Sequence, residues 1–271
     1  CGKSTLGRLV LRLLKATGGQ VLFEGKDIFA YSDEAMLGIR KQMQIIFQDP
    51  YSSLNPRMTV SEIISDPIRV CGTLKTKKEI DDRVYELMDV VGLSERFVNT
   101  YPHELDGGRR QRIGIARALA LDPRFIVCDE PVSALDVSIQ AQILNLMMDL
   151  QEDLGLTYMF ITHNLSVVKH ISNEIMVMYL GQCVERAPSA ELFSTPLHPY
   201  TRALLNAIPL PNLKSREMAQ IIRGEVTSPI NPGPGCRFYS RCPAAKAGCT
   251  GEDIPLKEVS DGHYVACALY R

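Results

Sequence analysis

Residues 125–130 read Phe125-Ile126-Val127-Cys128-Asp129-Glu130, with Pro123 before them and Pro131 after. An apolar run of this length between prolines suits a strand buried on both faces of a parallel sheet. An acidic pair at the C-terminal end of such a strand stands where α/β sheets bind their ligands. Downstream, the pattern predicts a helix over 138–153 and a second buried strand over 158–162. Upstream, Ile45 to Phe47 reads as another short strand. Strand, helix and strand in this order predict an α/β core with a parallel sheet. Residues 59–120 read as mainly helical, with breaks expected at Pro67, Gly72 and Pro102, so a helical segment is inserted into that core.

The chain opens Cys1-Gly2-Lys3-Ser4-Thr5, directly before a run with Leu6, Leu9, Val10, Leu13 and Leu14 at helical spacing, read as a helix over 4–16. This is the second half of the phosphate-loop pattern G-x-x-x-x-G-K-[ST]. Backbone N–H groups at a helix N-terminus attract phosphate oxygens. In that reading Gly2, Lys3, Ser4 and Thr5 form the phosphate cradle, Lys3 holds the β- and γ-phosphates, and the Ser4 hydroxyl binds Mg²⁺. Three letters, GKS, occur by chance in many proteins, and their weight comes from the acidic pair downstream. Asp129 then orients Mg²⁺ through water, and Glu130 polarises the attacking water as general base. Because the chain begins with cysteine, it is expected to be a fragment that lacks the start of the phosphate loop.

The bulk composition is that of an ordinary globular protein, 45% hydrophobic and 23% charged over 271 residues. A formal net charge of -1 argues against holding nucleic acid by bulk charge. No apolar run approaches the ~18 residues of a membrane span, so a membrane role has to come through a partner.

Five motifs in order resemble those of ATP-binding-cassette (ABC) ATPases. Besides the phosphate loop and Asp129-Glu130, Ile46-Phe47-Gln48-Asp49 resembles the Q-loop and Ser133-Ala134-Leu135-Asp136 the D-loop. Ile161-Thr162-His163 resembles the switch histidine, and Leu105-Asp106-Gly107-Gly108-Arg109 stands in the place of the signature. The resemblance implies ATP and Mg²⁺ as cofactors and an ABC-type P-loop fold. It implies that Gln48 contacts Mg²⁺ or water, that His163 hydrogen-bonds the γ-phosphate, and that Asp136 crosses a dimer interface. It also implies that the signature residues Asp106, Gly107 and Gly108 face the ATP of a second subunit. Members of the family usually read Leu-Ser-Gly-Gly-Gln at the signature. An ionised Asp106 cannot donate the serine's hydrogen bond and repels phosphate, while Arg109 is placed to offset its charge. That departure predicts a heterodimer in which the partner supplies an intact signature.

Thr195-Pro196-Leu197-His198-Pro199-Tyr200-Thr201 and Ser53-Leu54-Asn55-Pro56-Arg57-Met58-Thr59-Val60 resemble segments of oligopeptide and dipeptide importer ATPases. The resemblance implies two transmembrane permease subunits, an extracytoplasmic solute-binding protein, and a peripheral place on the cytoplasmic face of the cell membrane. Some relatives with such a tail carry nickel or other solutes. Two competing readings are an ABC-type ATPase of translation or DNA repair and a non-catalytic half of a heterodimer. The absence of a second cassette or long coiled coil argues against the first, and Glu130 with His163 against the second.

The expected domains are 1–186, the ATPase, and 187–271, an irregular appendage marked by prolines at 188, 196, 199, 209, 211, 229, 232 and 234. The appendage carries Cys236, Cys242, Cys249 and Cys267. In a reducing compartment four clustered cysteines suggest a metal site rather than disulfides. The spacing does not match the usual C-x2-C zinc pattern. The expectation is a structural [4Fe–4S] cluster, with Zn²⁺ as the alternative and free thiols or a redox disulfide as the remainder.

Overall fold

The computed structural model describes residues 1–208, 224, 225, 228 and 230–270. The chain divides into two compact units, one formed by Ser4–His163 and the other by Cys1–Lys3 with Asn164–Arg271.

In the first unit, α1 (Lys3–Val10) is followed by a small hairpin of β1 (Leu22–Phe23) and β2 (Lys26–Asp27), then α2 (Asp33–Gln42) and β3 (Met43–Ile46). Three helices come next, α3 (Val60–Cys71), α4 (Lys77–Val90) and α5 (Gly107–Leu119). The unit closes with β4 (Phe125–Asp129), α6 (Val137–Leu154) and β5 (Thr157–Ile161). Strands β3, β4 and β5 form a parallel sheet in that order, with Ile46 opposite Cys128 and Asp129 opposite Ile161. The α/β core with a parallel sheet and an inserted helical segment is therefore present. Both α3 and α4 start on full capping boxes, Thr59 with Glu62 and Thr76 with Glu79. These reciprocal bonds satisfy orphan backbone donors and fix where each helix begins.

Two local expectations fail. The first helix ends at Val10, not at residue 16: Arg12 turns to φ +50°, and its guanidinium donates to the carbonyls of Ile28 and Tyr31 and pairs with Asp33. Those tertiary bonds outweigh the helical periodicity of Leu13 and Leu14, which remain exposed. Pro67 does not break the chain, because it lies inside α3. The break comes at Gly72, whose φ of +59° is the left-handed cap that glycine adopts without steric cost.

The second unit holds α7 (Leu165–Ile171), β6 (Glu174–Tyr179), β7 (Gln182–Pro188), α8 (Ser189–Ser194) and α9 (Pro199–Asn206), and later β8 (Lys257–Ser260) and β9 (His263–Val265). Its sheet is antiparallel, in the order β6-β7-β9-β8. The boundary expected after residue 186 falls inside β7. That strand pairs with β6 on one side and β9 on the other, so cutting there would split one sheet. The tail is less irregular than its prolines suggested. Phe238, fully buried, packs edge-on against Tyr179, 5.3 Å between ring centroids, and near Tyr200 at the same distance. Aromatic contacts of this kind stabilise beyond the area they bury. The prolines at 209, 211 and 229 lie outside the described residues.

Candidate functional site

The C-terminal ends of β4 and β5 and the first turn of α1 bring together residues far apart in sequence. Ser4 Oγ donates to Asp129 Oδ1 at 2.8 Å. Asp129 ends β4 and is almost wholly buried. Helix α1 lies close on the sheet at Gly7, where an added Cβ would stand 2.8 Å from Val127 Cγ1 and 2.9 Å from Ile161 Cδ1.

Glu130, one residue beyond the strand, has φ +49°. A non-glycine residue in this region is strained, and such strain persists where surrounding bonds over-determine it. Here the Glu130 N–H donates to Ile161 O at 2.9 Å, and its carbonyl accepts from Ser133 N and Ser133 Oγ. The carboxylate is thereby directed between two loops. Gln48 Nε2 donates to Glu130 Oε2 at 2.9 Å, and His163 Nδ1 lies 3.1 Å from Oε1. The carboxylate is 14% exposed and the imidazole 66%. Of the expected site residues, Ser4, Gln48, Asp129, Glu130 and His163 thus meet. Gly2, at φ +88°, and Lys3 directly precede Ser4, Lys3 opening α1, and the Thr5 that follows is exposed.

The donor set suits a magnesium ion. A serine hydroxyl and a carboxylate already share a hydrogen bond, and hard oxygen ligands are what Mg²⁺ selects.

Asp106 is the N-cap of α5. Its Oδ1 accepts from Arg109 N at 2.8 Å, and its Oδ2 pairs with Arg109 Nη1 at 2.6 Å. Both carboxylate oxygens are engaged by their own helix. Gly107 and Gly108 follow, and a Cβ on Gly108 would meet Ile139 Cγ2 at 2.7 Å. Only glycine allows α5 this approach to α6. Asp136 is the N-cap residue of α6, but its side chain makes no capping bond.

In the second unit Cys236 N donates to Cys249 O at 2.9 Å, beside a backbone bridge between Gly235 and Thr250. Burial pushes the Cys236, Cys242 and Cys267 thiols above their usual range, and the neighbouring cysteines add to the effect. Cys236 and Cys249 also share an apolar cluster with Ile254 and Ala268. Among the described residues, no three or more His, Cys, Asp or Glu form a group fit to hold a metal ion. No helix among them is long and apolar enough to cross a membrane.

Sequence reasoning missed the arginines that tie the Q-loop segment to α5, and the buried Glu185 of β7.

Comparison with known proteins bears on all of this. The family described as ABC transporter matches residues 1–133, and that described as the oligopeptide/dipeptide transporter C-terminal region matches residues 184–249. A putative oligopeptide transport ATP-binding protein of Bacillus subtilis, YkfD, is 52% identical over all of this chain and 83% of its own length. The oligopeptide transport ATP-binding protein OppF of Escherichia coli is 49% identical over 98% of this chain and 80% of its own length. Among solved structures, the ATP-binding cassette MJ0796, a dimer bound to ADP and phosphate, aligns with a TM-score of 0.62 at 30% identity, over 69% of this chain and 81% of that one. CbiO1 from Clostridium perfringens, part of the ABC transporter complex CbiONQ, gives 0.64 at 29% identity, over 72% of this chain and 75% of its own. The chain belongs to the ABC transporter family, among the oligopeptide transport ATP-binding proteins.

Proposed function

We propose that this chain is the ATP-hydrolysing subunit that energises an importer of oligopeptides or dipeptides, docked on permease subunits at the cytoplasmic face of the membrane. The observation that carries the chemistry is the Glu130 carboxylate, strained into place at the strand end and held between Gln48 and His163 beside the Ser4–Asp129 pair.

Glu130 takes the proton of the attacking water as that oxygen adds to the γ-phosphorus and the bond from this phosphorus to the β–γ bridging oxygen breaks, with ADP as the leaving group. Gln48 and His163 hold the carboxylate toward that water. Lys3, with Gly2 and Thr5, binds the phosphates at the start of α1, and Ser4 and Asp129 are the residues that hold the metal. When bound, Mg²⁺ neutralises charge developing on the phosphate oxygens.

The partner is a second ATP-binding subunit. Asp106 is acceptor-only when ionised, so its composite site is the weaker one, and a partner with an intact serine at this position completes the site built on Lys3, Asp129 and Glu130. Asp136 lies at that interface. An extracytoplasmic binding protein delivers the solute. The clustered cysteines are read as the ligands of a structural iron–sulfur cluster, or of zinc, that organises the tail. Their clustering in the sequence and the bond from Cys236 N to Cys249 O support this reading, the lack of a ready-made metal group among the described residues speaks against it, and iron, sulfide and zinc analysis of anaerobically purified full-length protein tests it.

The decisive experiment is reconstitution of the full-length subunit with its partner, permeases and binding protein in vesicles. Peptide-loaded binding protein is expected to stimulate ATP hydrolysis and peptide uptake. Uptake of a nickel complex but no peptide would change the cargo, and a complete absence of hydrolysis would overturn the reading.

A further inference from the structure

We infer that Arg110, with Tyr51 stacked over it, is a positioning residue that fixes Gln48 against Glu130. Gln48 lies in the segment 47–54 between β3 and α3, outside regular structure. Locally that segment is a knot: Asp49 Oδ1 accepts from Tyr51 N at 2.8 Å, and Ser53 N donates to Asp49 O at 3.1 Å. Such bonds shape the loop but tie it to nothing else.

The ties come from α5. The Arg110 guanidinium carbon is 3.8 Å from the centroid of the Tyr51 ring, and its Nε donates to Pro102 O at 2.6 Å. Arg110 is 7% exposed and Tyr51 is 61% exposed, so the ring is a lid over a buried cation. Asp49 adds its carboxylate, held below its usual range by the Tyr51 and Ser52 bonds and then by the Arg110 charge. Seven positions further along α5, Arg117 Nη1 donates to Ser53 O at 2.7 Å, and its guanidinium carbon lies 5.9 Å from the Phe47 ring centroid. Seven residues are about two helical turns, so both arginines face the loop about 10 Å apart. A lysine can place a point charge over a ring, but it lacks the planar guanidinium that stacks on Tyr51 while its Nε donates to Pro102 O.

Helix α5 has a second attachment. At its N-terminus Gly107 abuts Leu135 and Gly108 abuts Ile139. One rigid helix therefore sets both the loop that carries Gln48 and the Leu135–Asp136 turn. A carboxylate base is sensitive to small displacements of the groups that orient it.

The inference rests on the proposed roles of Glu130 and Gln48. It is tested by steady-state ATP hydrolysis of the full-length transporter carrying Tyr51→Ala, Arg110→Lys, both together, or Tyr51→Phe. Tyr51→Ala and Arg110→Lys are each expected to lower kcat about tenfold, with the KM for ATP and the Tm unchanged. The double variant should be no worse than either single one, because the two residues act as one unit. Tyr51→Phe keeps the ring and should retain wild-type turnover. In a Gln48→Ala background, Tyr51→Ala should add nothing. A kcat for Tyr51→Ala within about twofold of wild type, or additive losses in either combination, overturns the inference. If Arg110→Lys fails to fold, exposed Tyr51 and the Gln48 background still decide. A wild-type assembly without hydrolysis sinks instead the reading on which the inference rests.

Discussion

Glu185 on β7 and His263 on β9 meet almost out of contact with water: Nε2 to Oε1 is 2.8 Å, and the side chains are 0% and 1% exposed. The same carboxylate accepts from Leu197 N at 2.7 Å and His198 N at 2.9 Å, and so fixes the turn that leads into α9. Glu191 lies 3.7 Å from the other imidazole nitrogen. Removing this buried acceptor leaves its donors unsatisfied, at a cost of about 1–3 kcal/mol. Glu185→Ala is therefore expected to destabilise the full-length protein by that amount and to strip hydrogen-exchange protection from Leu197 and His198. Unchanged protection at those two amides would remove Glu185 from the role.

His198 gives this region a pH dependence. Its Nδ1 accepts from Tyr200 N at 3.1 Å, and its Nε2 is buried with no partner among the described residues. Burial depresses its pKa to about 4, against an opposing pull from Glu185. Above pH ~6.5 the imidazole is neutral in both folded and unfolded chains. Between ~6.5 and ~4 the unfolded chain takes up a proton that the folded one refuses, so stability falls with falling pH, by about 3 kcal/mol in total. Denaturant titrations at pH 7 and pH 5 should show about 2 kcal/mol of that loss in wild type and a smaller one in His198→Asn.

Glu130→Gln keeps the size of the side chain and removes its basicity. Turnover in the assembled transporter is expected to drop by about 10²–10⁴-fold with nucleotide binding retained. Turnover within about threefold of wild type would transfer the role of base elsewhere.

At the signature, Asp106→Ser keeps an N-cap oxygen while removing a charge, so stability should change by only a few tenths of a kcal/mol. If the Asp106–Arg109 pair weakens the second composite site, hydrolysis by this subunit assembled without its partner should rise. An unchanged rate would mean that Arg109 already neutralises the carboxylate, and the asymmetry would fall.

The parts of the fold that periodicity reaches were legible in the sequence. The run from Phe125 to Cys128 is β4, the expected strand over 158–162 is β5 shifted by one residue, and Asp129-Glu130 does stand at the strand end. The hydrogen bonds that Gln48 and His163 make to Glu130 were not, because each spans from 33 to 82 residues and depends on loops that carry no period. The early end of α1 was hidden for a related reason. Arg12 is an ordinary helix former, and only the carbonyls of Ile28 and Tyr31 turn it aside. Prolines misled twice. Pro67 sits within α3, and Pro188 ends a strand rather than opening an irregular appendage. In both places the packing of the neighbouring elements overrode local propensity.

Gly7 has no side chain to take part in chemistry, yet it sets the clearance of the hydrolytic centre. Ser4 lies one helical turn before it on the same face of α1, and the helix rests on Val127 and Ile161 with no room for a methyl group. An alanine there would leave every reactive group of the molecule intact. It would lift the helix by a few tenths of an ångström from a close-packed interior that cannot absorb the difference. Ser4 would move with the helix while Asp129 stayed in the sheet. A chain altered in this way would pass every inventory of its functional side chains and still hold the proposed metal ligands, Ser4 and Asp129, at the wrong spacing.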